Sequence, residues 1–277
     1  MDRVNLELPP AILDALHERS RVTGEPIDRI AARALADALQ VGHSTVFQVS
    51  TASALMAGVA DGAVTVADLL RHGDFGLGTF AGWDGEMVVV DGVAHRVTAD
   101  GVSVAPADAE VPFALVTHLV PDEQLELEPC ASVAELHAQL DERRHTDNEL
   151  FAVRVDGAFA HLDTRAVCRS TSTTPLDVAV QTQASFALTD VEATLVGYWT
   201  PPHLRSIGIT GWHLHALTAD RRQGGHVFDC CGASLVAGLQ HLADFRLAIP
   251  DTASFRHAHL GGGDEEAIAR AERAPGG

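Results

Sequence analysis

The sequence contains no lysine: all 19 of its basic residues are arginines, against 38 aspartates and glutamates. This absence excludes Schiff-base chemistry, lysine-anchored pyridoxal phosphate and the lysine of a phosphate-binding loop. An enzyme with this composition needs another electron sink, and a metal ion is the natural substitute. The formal net charge of -19 also argues against nucleic acid or an anionic membrane as a partner.

Cysteine is scarce, and no segment has the pattern of a membrane span or a signal peptide. The four cysteines, at positions 130, 168, 230 and 231, lack C-x-x-C spacing and predict buried or incidental thiols in a reducing compartment. No apolar run reaches 18 residues, and no basic stretch precedes an apolar one at the N-terminus. We therefore expect a cytoplasmic protein with no membrane partner.

Residues 1–42 form a separable segment. Residues 4–8 alternate like a short strand, and two helical stretches follow on either side of Gly24. Strand, helix and helix resemble a ribbon-helix-helix module, which implies a homodimer paired through the strand. In that family the strand positions taken here by Asn5 and Glu7 read DNA bases, but the segment carries five arginines against seven acids. We therefore expect dimerisation and no nucleic-acid binding.

Beyond a hinge near Gly42, residues 43–277 read as mixed helix and strand. Residues 52–58 and 66–72 are short helical candidates, and Ser132 and Glu135 form a capping box that opens a helix to about residue 142. The tail, residues 261–277, reads as a glycine linker and a short acidic helix with a frayed end.

Two segments share the pattern of strand, Asp-Gly turn and strand: "EMVVVDGVAHRV" at 86–97 and "LFAVRVDGAFAHL" at 150–162. Each predicts a β-hairpin. Their likeness predicts an internal duplication, although such hairpins also arise independently.

Three histidines raise the question of a metal site. His213 and His215 share one face of a predicted strand, and a turn over "ADRRQGG" lets a returning strand place His226 opposite them. Three nitrogen ligands with one open position are typical of catalytic zinc, whereas a structural zinc needs a fourth ligand, for which Cys230 and Cys231 are nearest. With 15 histidines, about one H-x-H pair arises by chance. Spacing alone leaves both interpretations open.

Longer motifs carry a family resemblance. "GITGWHLHALTADRRQGGHVFD" at 208–229 resembles the most distinctive stretch of the acetolactate decarboxylases, metal-dependent enzymes that form acetoin. Residues 46–97, with "GDFGLGTF" and "DGE", resemble the N-terminal signature of the same family. "ELFAVRVDGAFAHLDTRAV" and "TLVGYWTPPHL" follow in the expected order, so the resemblance covers about residues 44–277.

The resemblance implies an α+β fold of two related mixed or antiparallel β-sheet halves with flanking helices, divided near residues 165–190. The small N-terminal strand-helix-helix module lies outside it. The implied catalytic domain spans residues 43–277 and would bind Zn²⁺ or another divalent metal. The metal ligands carried over from the family are His213, His215 and His226.

The other implied site residues are Thr79, Glu86, Arg165 and Glu272, with Glu265 and Glu266 as alternatives to the last. The implied reaction converts 2-acetolactate to acetoin and CO₂: zinc polarises the adjacent ketone and hydroxyl and stabilises the enediolate. Arg165 orients the carboxylate, and either Glu86 or Glu272 aids protonation.

Two departures from the family pattern affect no implied ligand. Cys168 stands where the family commonly has proline, and Cys230 and Cys231 replace larger apolar residues. Two alternative functions remain: another zinc-dependent, cupin-like hydrolase, in which Arg165 has no special role, and a ribbon-helix-helix regulator that senses a ligand or metal.

Overall fold

The computed structural model describes residues 5–24, 26–39, 44–170 and 174–260. The chain forms two compact units, Met1–His43 and Ser44–Gly277. Nowhere in these described ranges does a helix have the length and apolar character needed to cross a bilayer.

The first unit contains the two predicted helices, α1 (Pro10–Thr23) and α2 (Ile27–Leu39), which pack against each other. Pro10 suits the first turn of α1, and Gly24 ends that helix with a left-handed φ of 75°. Residues 5–9 form no strand in this single chain, and residue 4 of the predicted strand lies outside the described residues. The strand of a ribbon-helix-helix module pairs between two chains, so that part of the module stays a prediction.

The second unit contains two sheets, a short two-stranded pairing and short helices. The helices are α3 (Ala52–Met56), α4 (Val66–Leu69), α5 (Val133–Asp141), α6 (Leu176–Ala179) and α7 (Ala253–His257). The strands are β1 (Thr45–Val49), β2 (Val64–Thr65), β3 (Phe75–Thr79), β4 (Glu86–Val90), β5 (Val93–Thr98), β6 (Gly101–Val104), β7 (Glu110–Val111), β8 (Phe113–Thr117), β9 (Glu123–Leu127), β10 (Leu150–Ala166), β11 (Ala184–Thr200), β12 (Gly211–Thr218), β13 (Gly224–Leu242) and β14 (Asp244–Ala248).

The larger sheet is mixed and has the order β14-β1-β8-β3-β4-β5-β6. Its edge strand β14 pairs with β1 in parallel, and the other pairs are antiparallel. The smaller sheet has the order β10-β11-β12-β13-β9, and β10 also pairs with β13. That extra pairing joins β10, β11, β12 and β13 into a closed ring, so these long strands hold one another along both edges.

Apolar side chains fill three cores. One core lies between the two sheets and combines Phe75 and Leu77 of β3 with Val196 and Tyr198 of β11. The Tyr198 hydroxyl donates to the Phe75 carbonyl at 3.0 Å, which satisfies a polar group in this apolar layer. A second core fills the ring of the smaller sheet, and a third lies on the opposite face of the larger sheet. The layer between the sheets is where the candidate site forms.

Several local predictions are confirmed. The helices predicted at 52–58 and 66–72 correspond to α3 and α4. At α5, the Ser132 side chain accepts from the Glu135 amide, as the capping box requires. The hairpin at 86–97 is β4 and β5, joined by Asp91 and Gly92 at positive φ angles of 53° and 77°.

The hairpin predicted at 150–162 is wrong, because β10 runs without a turn from Leu150 to Ala166. Gly157 lies opposite Leu235 of β13, and a Cβ atom at this position would collide with the Ser234 carbonyl. Gly157 therefore allows two strands to approach each other closely and does not form a turn.

The α+β class is confirmed, but only one of the two hairpins that predicted a duplication is present. The sheets also differ in strand number and order. They do not divide the chain near residues 165–190, since β9 and β10 already belong to the smaller sheet and β14 returns to the larger one. Duplication stays a prediction without that support.

Candidate active site

Three buried histidines meet where β12 turns into β13. His213 and His215 lie two residues apart on β12, and His215 is directly opposite His226 of β13 in the strand register. The ligand atoms of the three side chains all lie within 4.8 Å of one another. The strand-turn-strand geometry expected from the sequence is therefore observed.

Glycine brings β13 close enough to β10 for this arrangement. Gly225, just before His226, has a φ of 122°, and a Cβ there would collide with the Arg165 carbonyl of β10. The same approach sets Arg165 opposite His226 in the β10–β13 register. One local backbone constraint therefore positions both a histidine and the arginine.

Burial keeps two of these histidines in the neutral form that binds metals. Burial, and then the positive charge of Arg165, lowers the pKa of His213 to about 3. Burial, the neighbouring His213 and Arg165 also lower the pKa of His215 well below its ordinary value, against a raising effect of its bond to Met87. Neutral imidazole nitrogens are the ligands that zinc and similar divalent ions require.

Hydrogen bonds select the nitrogens that face the cluster. His215 Nδ1 lies 2.9 Å from the Met87 carbonyl, to which it donates, so Nε2 is left to face Glu86 Oε2 at 3.7 Å. His213 Nε2 and His226 Nδ1 lie 3.1 Å apart. Two nitrogens that bind one tetrahedral zinc ion are separated by about 3.3 Å. The donor set and its spacing therefore fit a divalent metal.

The larger sheet supplies two polar groups to the site. Thr79 of β3 and Glu86 of β4 are directly opposite each other in the register, and both side chains are buried. Thr79 Oγ1 donates to the Gly85 carbonyl at 2.8 Å, which fixes the residue before Glu86.

Arg165 is a buried cation near the end of β10. Its Nη1 donates to Gln183 Oε1 at 3.1 Å, and its guanidinium lies 5.6 Å from the centre of the Phe228 ring. Its buried Nε has no hydrogen-bond partner, and Arg165 forms no ion pair with any residue that the structure describes. A buried charge without a counter-charge destabilises the folded protein, so a bound anion would stabilise this guanidinium.

One pocket between the sheets gathers all six of these side chains. Thr79, Glu86, Arg165 and the three histidines line it. Apolar residues close the rest of its wall: Leu55, Trp83, Phe113, Val167, Leu176 and Ile209. The Trp83 indole is held by a bond from Nε1 to the Thr174 carbonyl at 3.0 Å. The pocket thus offers a cation, neutral nitrogen ligands and a carboxyl group to a small, partly apolar ligand.

One predicted site residue is not among those that the structure describes. Glu272, with its alternatives Glu265 and Glu266, lies outside the described residues. Cys230 is buried in the core of the smaller sheet, and neither it nor Cys231 lines the pocket.

Three features of the site were not predicted from the sequence: Gln183, the Met87 carbonyl and the apolar wall. No motif marks Gln183, and its contact with Arg165 emerges only from the pairing of β10 with β11.

Comparisons with known proteins identify the family of this chain. A sequence profile of the family described as "Alpha-acetolactate decarboxylase" matches residues 46–262. The alpha-acetolactate decarboxylase of Methanosarcina mazei is 38% identical over 82% of this chain and 80% of its own length. That of Klebsiella aerogenes is 36% identical over 78% of this chain and 84% of its own length.

The crystal structure of alpha-acetolactate decarboxylase from Bacillus subtilis strain 168 superposes with a TM-score of 0.80 at 30% identity, over 83% of this chain and 100% of the other. Sequence profile, relatives and fold agree over the unit that contains the pocket. The protein is therefore an enzyme that belongs to the alpha-acetolactate decarboxylase family.

Proposed function

We propose that this enzyme converts 2-acetolactate to acetoin and CO₂. The observation that carries the proposal is the presence, in one pocket, of three buried histidines and a buried guanidinium that has no carboxylate partner among the described residues. A β-keto acid needs both elements: a cation to hold its carboxylate and an electron-withdrawing group at its ketone.

His213, His215 and His226 would hold Zn²⁺ or another divalent metal. Three protein ligands leave a coordination position open, as in catalytic zinc sites. When bound, such an ion supplies a Lewis acid that withdraws electrons from the ketone as the C–C bond to the carboxylate breaks. The bond from His215 to the Met87 carbonyl supports this role, because it holds the imidazole in one tautomer and orientation.

Arg165 binds the substrate carboxylate and fixes the direction of the bond that breaks. A guanidinium donates two parallel hydrogen bonds to a carboxylate, which sets its plane as well as its position. CO₂ leaves when that bond lies perpendicular to the plane of the adjacent ketone, so that its electron pair enters the carbonyl π system. The apolar wall then accommodates the two methyl groups and keeps water out.

A carboxyl group returns a proton to the carbon that lost CO₂. Glu86 is suited to this role because it is buried in the pocket beside His215, and Thr79 holds the backbone next to it. Glu272 is the second candidate. A proton delivered from one face gives a single enantiomer of acetoin.

The test incubates the purified full chain with 2-acetolactate and measures CO₂ and acetoin, before and after chelation and zinc addition. We expect acetoin formation that stops on chelation and returns with zinc. His213→Ala should abolish both metal binding and turnover, whereas His161→Ala, which changes a half-exposed histidine on β10, should preserve them. Metal-replete protein without decarboxylase activity would refute the proposal and favour a hydrolase or a ligand-sensing regulator.

We also infer that the Met1–His43 unit pairs two chains into a homodimer. Leu6, in the predicted strand, is more than half exposed in the single chain, and ribbon pairing would cover it. Leu6→Asp in the full chain should convert a dimer to a monomer in light scattering without lowering turnover per chain. A wild-type monomer, or a Leu6→Asp dimer, would refute this assignment.

A further inference from the structure

Gln183 is the residue that holds the Arg165 guanidinium. It lies where a short 3₁₀ turn, Val180–Thr182, runs into β11. Ser185 pairs with Arg165 in the β10–β11 register, which places Gln183 two residues away along the same strand edge. A side chain of this length reaches a diagonal neighbour, and its Oε1 accepts from Arg165 Nη1 at 3.1 Å.

The orientation of this amide follows from its partner. A guanidinium has donors and no acceptor, so the amide must turn its oxygen, and not its NH₂ group, toward Arg165. The resulting bond fixes Arg165 without cancelling its charge. Within the described ranges, no carboxylate lies within ion-pair distance of this arginine.

That choice of partner contrasts with two other arginines of this unit, one almost wholly buried and one half-buried. Arg144, whose side chain is 4% exposed, forms ion pairs with Asp141 and Asp147. Arg96 pairs with Asp84. Acidic residues are twice as numerous as basic ones in this chain, yet the partner of Arg165 is a neutral amide.

We propose that Gln183 is a positioning residue that orients Arg165 for a carboxylate ligand and, being neutral, preserves the positive charge that the ligand needs. This inference rests on the proposed function for the identity of the substrate. Its physical content concerns the binding of any small carboxylate in the pocket, and so it can be tested without turnover.

The experiment compares charge with geometry. Gln183→Glu keeps the length and the acceptor but adds a negative charge that pairs with Arg165. Gln183→Met removes the acceptor at similar volume without adding charge. Gln181→Glu, two residues earlier on the exposed surface, adds the same charge nearby and is the matched control.

Two ligands separate the possible effects. Binding of 2-hydroxyisobutyrate, a small carboxylate, and of acetoin, which is neutral, is measured by titration calorimetry on zinc-loaded protein, with the melting temperature of each variant recorded. We expect Gln183→Glu to weaken binding of the carboxylate about tenfold or more, the factor that separates charge-assisted from neutral hydrogen bonds. Acetoin binding should change less than about twofold, and Gln181→Glu should leave both affinities unchanged.

Gln183→Met should weaken carboxylate binding less than Gln183→Glu does, and in turnover it should lower kcat more than it raises KM, because Arg165 keeps its charge but loses its orientation. Equal losses of affinity for the two ligands, or equal effects of the Glu and Met substitutions on carboxylate binding, would overturn the proposal.

If Gln183→Glu does not fold, Gln183→Met decides alone, since a purely structural role of Gln183 predicts equal weakening of carboxylate binding and acetoin binding. Selective loss of carboxylate binding in a protein without decarboxylase activity would refute the proposed function and leave this inference standing.

Discussion

Replacing Arg165 with methionine should separate activity from stability. Arg165 is 3% exposed as a residue, and its guanidinium has one hydrogen bond to a neutral amide and no counter-charge among the residues that the structure describes. Two charge-assisted bonds to the substrate carboxylate, each about 1.5–3 kcal/mol, imply a fall in kcat/KM of about 10²- to 10⁴-fold. In the folded protein, however, the substitution removes a buried charge that its surroundings stabilise only weakly.

The stability side follows from desolvation. Replacing a poorly compensated buried charge by an apolar side chain of similar volume is neutral or stabilising by about 1–4 kcal/mol. The lost bond to Gln183 and the contact with Phe228 offset about 1–2 kcal/mol of that gain. The net change in the free energy of unfolding therefore lies between a loss of about 2 kcal/mol and a gain of about 3 kcal/mol. At about 2–4 °C per kcal/mol for a domain of this size, we expect Arg165→Met to melt between about 8 °C below and about 12 °C above the wild type.

The assay combines kcat/KM for 2-acetolactate with thermal unfolding of the metal-loaded protein. Arg154→Met is the matched control: Arg154 also lies on β10 but forms ion pairs with Asp91 and Asp156. It should keep its activity and lose about 1 kcal/mol of stability at most. A large drop in the melting temperature of Arg165→Met, with kcat/KM retained, would refute the reasoning and make Arg165 a structural residue.

Three further predictions concern other groups of the protein. Because the pKa of His213 falls from its ordinary 6.5 to about 3 on folding, the unfolded chain binds a proton between these pH values that the folded chain does not. The metal-free protein should therefore become less stable as the pH falls from about 7 to about 5. Below pH 6.5, His213 alone should lower the free energy of unfolding by about 1.4 kcal/mol for each pH unit. If the melting temperature of the wild type falls no faster with acid than that of His213→Gln, this prediction is wrong. Glu86→Gln should yield acetoin of lower enantiomeric purity by chiral gas chromatography, whereas unchanged purity would move the proton donor to Glu272. Burial raises the pKa of the Cys130 and Cys230 thiols. Iodoacetamide should therefore label Cys168 and Cys231 in the native protein and leave the buried pair unmodified, as detected by mass spectrometry. Equal labelling of all four cysteines would show that Cys130 and Cys230 are not buried.

The sequence was most informative where a short segment determines its own geometry. Asp91 and Gly92 accept positive φ angles between two strands, so their hairpin could be read from twelve residues. His213 and His215 share a face of β12 because side chains alternate along a strand, and the turn that returns the chain to His226 is equally local. These features depend on few distant contacts.

The predictions failed where the deciding contact is distant in the sequence. The dipeptide of Asp156 and Gly157 looks like a turn, yet the approach of Ser234, more than 70 residues later, makes that glycine part of a strand. The contact between Arg165 and Gln183 likewise depends on the pairing of β10 with β11. The sequence shows the charge of a residue directly, but it does not show which distant side chain will contact that residue.

The parallel pairing of β1 with β14 sets an order of events during synthesis. Thr45 pairs with Asp244, so about 200 residues must leave the ribosome before β1 acquires its second neighbour. At about 5–20 residues per second, that interval lasts about 10–40 s. During this time β1 is an open sheet edge, exposed to pairing with other nascent chains. The sheet that carries Thr79 and Glu86 is therefore completed only after the strands that carry the three histidines have been synthesised.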